Sequence, residues 1–245
     1  MSVYLSIRFF VNWLTINHKS IKMKKAIFLL LFTFTISVSA QSIRVYNLNV
    51  APENAASVGD LFKEYHEKGK RKSGTVTLQR VRFQNHVTHR VILTGDPNNW
   101  GSAIERPDSD WRAYLRGTRA FRRSSEGSYT ARSAYWKNGD REKYHIGQQW
   151  LIRVEDPTKY AAAWIKFAKA IEPMIGDRMM GLGAINMGDL DGATHYTVFY
   201  GEDMNDLEII LNKIRNSKAY EEFTETRGEN EIIKSFSVED LLSFN

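Results

Sequence analysis

The chain has 245 residues, with 34 basic and 28 acidic side chains and no cysteine, which excludes disulfides, thiol nucleophiles and cysteine-based metal sites. Its formal charge of +6 suggests an anionic partner, but residues 1–40 carry five basic side chains and no acidic one, so residues 41–245 have a net charge of +1. A nearly neutral chain lacks the broad positive field that nucleic-acid binding requires, and we predict no nucleic-acid partner.

Residues 23–40 have the pattern of a cleavable secretory signal peptide. Two lysines precede an apolar stretch that is too short to span a bilayer comfortably, and small residues follow it up to Ala40. We therefore predict cleavage after Ala40, export to the periplasm or the medium, and no membrane attachment afterwards. Residues 1–22 are interpreted as an upstream extension or a misassigned start.

Hydrophobic periodicity divides the remaining chain into strands and helices. In its first half it predicts strands over residues 43–50, 75–84, 88–95 and 128–136, and helices around residues 58–65 and 109–122. In its second half it predicts strands over residues 146–155, 178–187, 194–201 and 231–237, a long helix from Asp156-Pro157 that Pro173 and Gly176 end, a helix around residues 207–214 and a short one capped by Ser217. Both halves, residues 41–142 and 143–245, follow the β-α-β-β-α-β order of a ferredoxin-like unit.

The sequence Thr-His-x5-Gly occurs twice, at residues 88–95 and 194–201. Placing residues 88–121 on residues 194–227 without a gap gives eight identities in 34 positions. Because the order of elements repeats as well, we interpret the two halves as products of a duplication. The two Thr-His strands are then equivalent third strands of two related domains.

Tandem β-α-β-β-α-β units with a histidine early in the third strand resemble the dimeric α+β barrel superfamily, which includes antibiotic-biosynthesis-monooxygenase-like and NIPSNAP-like domains. The resemblance covers most of residues 41–245 at the level of pattern. It implies an α+β fold in which two four-stranded sheets form a pseudo-twofold barrel with the helices outside. Known relatives include cofactor-independent oxygenases and haem-degrading enzymes, but none of their catalytic motifs can be placed on this sequence. Further association into a homodimer is left open.

His89 and His195 are the first candidates for a functional site. Alternate residues of a strand share a face, but the sequence does not say which face lines the barrel. If it is the face of the histidines, the two imidazoles would act as proton carriers or haem ligands. The alternative is a structural histidine, held in both copies by the preceding threonine hydroxyl or by a backbone carbonyl.

Two groups of arginines are further candidates. Arg80 and Arg82 share one face of a predicted strand, and they would hold an anionic group such as a carboxylate if that face lines the barrel. The second group has helical spacing and comprises Arg112, Arg116, Arg119 and Arg123. It is either a docking face for an acidic partner or the solvated face of an outer helix.

Other motifs are weak. His86 and His89 are three residues apart on an extended chain and cannot bind one ion together. The segment from Asp189 to Gly192 resembles the start of a calcium loop but lacks the later ligands. Nucleophile-elbow and phosphate-loop motifs are absent from the sequence. We predict no metal and no cofactor.

The sequence therefore favours an exported protein that binds a small, partly apolar ligand, or a partner, in or on a tandem α+β barrel. The alternative is an enzyme, a cofactor-independent monooxygenase or a haem-handling protein that uses His89 or His195. A third hypothesis is an interaction protein that uses the arginine helix. Gly181 and Gly183, inside a predicted strand, indicate room for a close-packed neighbour or a ligand.

Overall fold

A computed structural model describes residues 41–245. The predicted signal peptide and the upstream segment lie outside these residues. Among the helices of residues 41–245, none is long and apolar enough to cross a membrane.

The described chain contains nine strands and five α-helices. The first half consists of β1 (Ser42–Val50), α1 (Ala55–Glu67), β2 (Val76–Arg82), β3 (His89–Gly95), α2 (Asp108–Phe121), β4 (Arg122–Ser125) and β5 (Tyr129–Lys137). The second half consists of β6 (Ile146–Val154), α3 (Pro157–Ile175), β7 (Met180–Met187), β8 (His195–Gly201), α4 (Met204–Arg215), α5 (Lys218–Thr226) and β9 (Asn230–Phe244).

Eight of the strands form a closed antiparallel ring. Its order is β5-β1-β3-β2-β9-β6-β8-β7, and β7 pairs with β5 to close it. The short β4 extends the pairing of β1 beside β5. Each half of the chain supplies four neighbouring strands in the same order, fourth-first-third-second, which is the ferredoxin-like arrangement. The structure is therefore an α+β barrel built from two tandem ferredoxin-like units, and closure leaves neither unit with an open sheet edge.

The helices lie outside the ring. Helix α3 begins at Pro157, and the Asp156 carboxylate caps it by accepting a hydrogen bond from the Lys159 N–H at 2.9 Å. Its apolar face, which includes Trp164 and Ile171, is buried against the sheet. Each large apolar side chain buried in this way contributes about 2 kcal/mol.

Three details of the predicted elements differ in the structure. Pro173 does not end α3, which continues to Ile175. The proline removes one helical hydrogen bond, and the complete burial of Ile171 and Ile175 offsets that loss. The segment after α2 forms the additional strand β4. The last strand continues to Phe244, since its second part pairs with β2 across the join between the two halves.

The two halves differ in their helical cover. Helix α2 packs on α1, and in the same way α5 packs on α3. The gapless alignment of the two halves also matches α2 with α5. Helix α4 packs on β6 and β8. The matching residues of the first half, 98–109, contain only part of a short 3-10 turn and the first residues of α2. The outer face of the first half is therefore less covered, and Tyr46 on β1 is 44% exposed.

The repeated Thr-His pair joins the third strand to the end of the first strand in each half. The Thr88 hydroxyl accepts a hydrogen bond from the Val50 N–H at 2.8 Å, and the Thr194 hydroxyl accepts one from the Val154 N–H at 3.0 Å. Each threonine oxygen also lies within hydrogen-bond distance of Nδ1 of the following histidine, at 3.1 Å for His89 and 2.9 Å for His195. The duplicated motif thus ties two strands together outside the barrel.

Removal of this hydroxyl is expected to weaken the fold. Thr194→Val should lower the free energy of unfolding by about 1–3 kcal/mol, because the Val154 N–H loses its acceptor in a partly buried position. Urea denaturation measures this loss. The matched control is Thr197→Val on the same strand, since the buried Thr197 hydroxyl makes no hydrogen bond within residues 41–245. Equal losses for the two variants would contradict a specific role of the Thr-His pair.

Candidate functional site

The interior of the barrel holds a cavity of about 260 Å³. Four aromatic side chains line it: Tyr129, Trp136, Tyr196 and Tyr200. Aliphatic side chains, among them Ile92 and Val198, complete the apolar part of the wall. This volume and this mixture of apolar and polar groups are typical of a site for a small organic ligand.

Closure of the barrel selects the strand face that lines the cavity. On β3 the inward residues are Arg90, Ile92 and Thr94. The equivalent inward residues of β8 are Tyr196, Val198 and Tyr200. Because side chains alternate along a strand, the residues between them point to the helices instead.

Arg90 is the most unusual residue of the cavity wall. It is 3% exposed, and its Nε donates a hydrogen bond to Oε1 of Gln79 at 2.6 Å. Its guanidinium carbon lies 5.5 Å from the centroid of the Phe236 ring, close enough for a cation–π contact. Within residues 41–245, no carboxylate oxygen lies within 4.0 Å of its nitrogens, so its charge has no ion-pair partner there.

Gln79 connects Arg90 to a second polar group. The Gln79 amide nitrogen donates to the Tyr200 hydroxyl at 3.2 Å and to Oδ1 of Asp240. Oδ2 of Asp240 in turn lies 3.0 Å from Nε of Arg141, another residue of the cavity wall. Asp240 therefore neutralises Arg141 and orients Gln79, whose oxygen is left for Arg90.

Two cavity tyrosines, Tyr196 and Tyr200, remain protonated. Burial raises the pKa of Tyr196, and burial followed by the Asp240 charge raises the pKa of Tyr200. Both phenols thus keep a proton that can be donated. Among the described lining residues there is no carboxylate and no imidazole, so the wall offers cationic and hydrogen-bonding groups but no strong proton acceptor.

The structure places His89 and His195 on the other face of their strands. Both are buried between the sheet and the helix layer, and the His195 ring lies 6.3 Å from that of Tyr160 on α3. Burial lowers the pKa of both imidazoles, and the Arg80 charge lowers that of His89 further. The two histidines do not meet in the cavity, and each has the threonine contact of a structural histidine.

The arginine candidates also lie outside the cavity. Arg80 and Arg82 are on the outer face of β2 and are ion-paired with Glu239 at 3.2 Å and 2.8 Å. The second group is exposed on the surface, with Arg112, Arg116 and Arg119 on α2 and Arg123 on β4. Arg112 is within 3.7 Å of Asp108 in an exposed pair, and such pairs contribute little to stability. Docking of an acidic partner on this group stays a prediction.

Gly181 and Gly183 allow two aromatic rings of the cavity wall to pack closely against β7. A Cβ at Gly181 would stand 2.3 Å from the Trp136 ring, and one at Gly183 would stand 2.3 Å from the Tyr196 ring. Both distances are far below van der Waals contact. The close-packed neighbours predicted from these glycines are therefore the rings of Trp136 and Tyr196, which line the cavity.

Sequence reasoning missed Arg90 and Gln79 as site residues. The available signal was a single arginine in the otherwise apolar run of β3. A charged side chain beside a run of apolar residues on a strand requires a specific partner where it is buried.

Two further cavities are less suited to a ligand. One, of about 210 Å³, lies between the sheet and the helices of the second half and has Tyr160 and Phe223 in its wall. The other is a cleft between α1 and α2, where the guanidinium of Arg106 stacks 3.7 Å from the centre of the Tyr65 ring and donates to the Tyr65 carbonyl. Its cation is thus already engaged by protein groups.

The residues of these cavities do not fit haem, which some members of the superfamily handle. Haem iron takes an axial histidine, cysteine or tyrosinate, or a methionine opposite a histidine. None of the histidines of residues 41–245 lines the barrel cavity or the cavity beside α3. Burial raises the pKa of Tyr160 and Tyr196, which disfavours a tyrosinate ligand.

No protein-family model matches the sequence, and neither does any curated protein. Several solved structures share the fold. A protein of Lactobacillus acidophilus provisionally assigned as a monooxygenase aligns with a TM-score of 0.56 and 7% identity, over 84% of this chain and 96% of its own. An anthrone oxidase-like protein aligns with a TM-score of 0.52 and 8% identity, over 84% and 93%. A mutant chlorite dismutase of Candidatus Nitrospira defluvii aligns with a TM-score of 0.50 and 12% identity, over 82% and 92%.

At these identities the comparisons speak for the fold alone. The chain therefore has a tandem α+β barrel fold, in which one chain supplies both halves of the barrel.

Proposed function

We propose that the protein binds a small, partly apolar organic ligand in the interior of the barrel. The observation that carries the proposal is the cavity itself, lined by aromatic rings that pack against Gly181 and Gly183. The cavity of about 260 Å³ is partly open to solvent, so a small molecule can enter it. Such a molecule would bury its apolar surface against these rings.

A cofactor-independent monooxygenase in the same cavity is the second candidate. The fold that this chain shares with proteins named as a monooxygenase and as anthrone oxidase-like favours it. Such an enzyme removes a proton from its substrate, and the lining residues described above include no carboxylate or imidazole to accept one. The geometry therefore supports binding better than catalysis.

Filling the cavity is expected to abolish binding. The neutral apolar fluorophore N-phenyl-1-naphthylamine should bind the wild-type protein with a rise in fluorescence. Ile92→Trp places a larger side chain in the cavity and should weaken binding by about tenfold or more. Fluorescence titration measures both.

The matched control is Val91→Trp, the neighbouring residue on β3, whose side chain points to the helix layer. It should leave the affinity for the fluorophore nearly unchanged. Circular dichroism verifies that both variants fold. If the fluorophore does not bind the wild-type protein, or binds Ile92→Trp as tightly, the cavity is not the ligand site.

We also propose that the protein acts outside the cytoplasm, in the periplasm or the medium. The support is the signal-peptide pattern of residues 23–40 together with the absence of cysteine from the whole sequence, which suits an oxidising compartment without requiring disulfides. An exported binding protein would meet its ligand in that compartment.

Export is expected to expose Gln41 as the first residue. N-terminal sequencing of the protein recovered from the periplasm or medium of a Gram-negative host should begin there. Leu30→Arg, which places a charge in the apolar stretch, should retain the chain in the cytoplasm. The same change at Leu5 should have no effect if residues 1–22 are not part of the signal. Recovery of uncleaved chain from the cytoplasm alone would contradict export.

A further inference from the structure

We infer that the ligand of the barrel cavity is an organic monoanion whose carboxylate pairs with Arg90. This inference rests on the proposed binding function and adds the chemical class of the ligand. It starts from the burial of Arg90, which is 3% exposed and carries a permanent charge. A largely buried charge without an ion-pair partner is unfavourable, and Arg90 lines the cavity, so an anion bound in the cavity would stabilise it.

The polar protein groups near Arg90 already form ion pairs or hydrogen bonds with other residues, and none of them supplies Arg90 with a negative charge. Asp240 is the nearest carboxylate of the network, but it pairs with Arg141 at 3.0 Å and accepts a hydrogen bond from Gln79. Gln79 presents only its neutral amide oxygen to Arg90 and engages Nε alone, at 2.6 Å. Within residues 41–245, the two terminal nitrogens of Arg90 make no hydrogen bond to a protein acceptor.

This geometry selects a carboxylate. The two terminal nitrogens of a guanidinium form a planar fork that binds both oxygens of a carboxylate at once. One unpaired arginine balances one negative charge, and the remaining cation of the wall, Arg141, already has its carboxylate. A monoanion therefore matches the site better than a phosphate with two charges.

The rest of the wall determines the body of the ligand. Ile92, Val198, Trp136 and Met179 form the apolar part of the cavity wall. A planar aromatic or compact aliphatic body would pack there, while the protonated Tyr196 and Tyr200 can donate hydrogen bonds to a second polar group.

The test compares two probes of equal shape that differ in charge, 2-naphthoate and 2-naphthamide. Each is titrated against purified protein loaded with N-phenyl-1-naphthylamine, and displacement of the fluorophore gives its affinity. In the wild-type protein we expect 2-naphthoate to bind about tenfold tighter or more, because only the carboxylate supplies the missing charge. In Arg90→Met this preference should disappear while the fluorophore still binds.

Arg80→Met is the matched control, since Arg80 lies one strand away on the outer face of the barrel. It should keep the preference for 2-naphthoate. Equal affinities of the two probes for the wild-type protein would overturn the assignment of an anion, and so would a preference that persists in Arg90→Met. Because the fluorophore is neutral, its binding to the wild-type protein separates the two proposals. If it binds and the probes are not distinguished, only the anion assignment fails; if it does not bind, the binding function fails as well.

Discussion

The structure depends on the closure of the barrel, in which the edge strand β2 of the first half pairs with β9 and the edge strand β7 of the second half pairs with β5. A four-stranded ferredoxin-like sheet alone would expose both edges and one face to water. Joining two such sheets satisfies the edge hydrogen bonds and encloses the second face. The enclosed face becomes an interior whose shape is set by the residues at alternate positions of eight strands. Everything proposed about a ligand follows from that interior.

The two halves have kept different features of their common pattern. Outside the barrel, both preserve the threonine that binds the end of the first strand and the histidine that follows it. Inside the barrel, the equivalent positions carry different residues: Arg90 of β3 corresponds to Tyr196 of β8, and Thr94 corresponds to Tyr200. A symmetric interior would place like residues opposite each other. Arginine in one half and tyrosine in the other instead give the cavity one cation, Arg90, that has no ion-pair partner within residues 41–245.

The outer layer is asymmetric as well. Helix α4 covers β6 and β8, so that Phe199 is buried beneath the helices of the second half. In the first half the chain from Asp96 to Pro107 crosses the same region without an α-helix, and there Arg44 and Arg71 both lie over the Trp100 ring, at 4.3 Å and 4.8 Å. Cation–π contacts replace part of the apolar packing that a helix would supply. The two ferredoxin-like units therefore share a sheet topology without sharing a helix layer.

The sequence by itself determined the elements, their repeated order and the pairs of residues that share a strand face. Alternation along a strand groups Arg90 with Ile92 and Thr94, and His89 with Val91 and Leu93. Only the tertiary structure decided which group faces inward. The reason is physical: β8 is buried along its whole length, and a strand buried on both faces has no alternation of polar and apolar residues to orient it. Gln79 and Arg90 face each other on the neighbouring strands β2 and β3 of the first half. Asp240, which accepts a hydrogen bond from Gln79, lies on β9 and meets them only when the barrel closes.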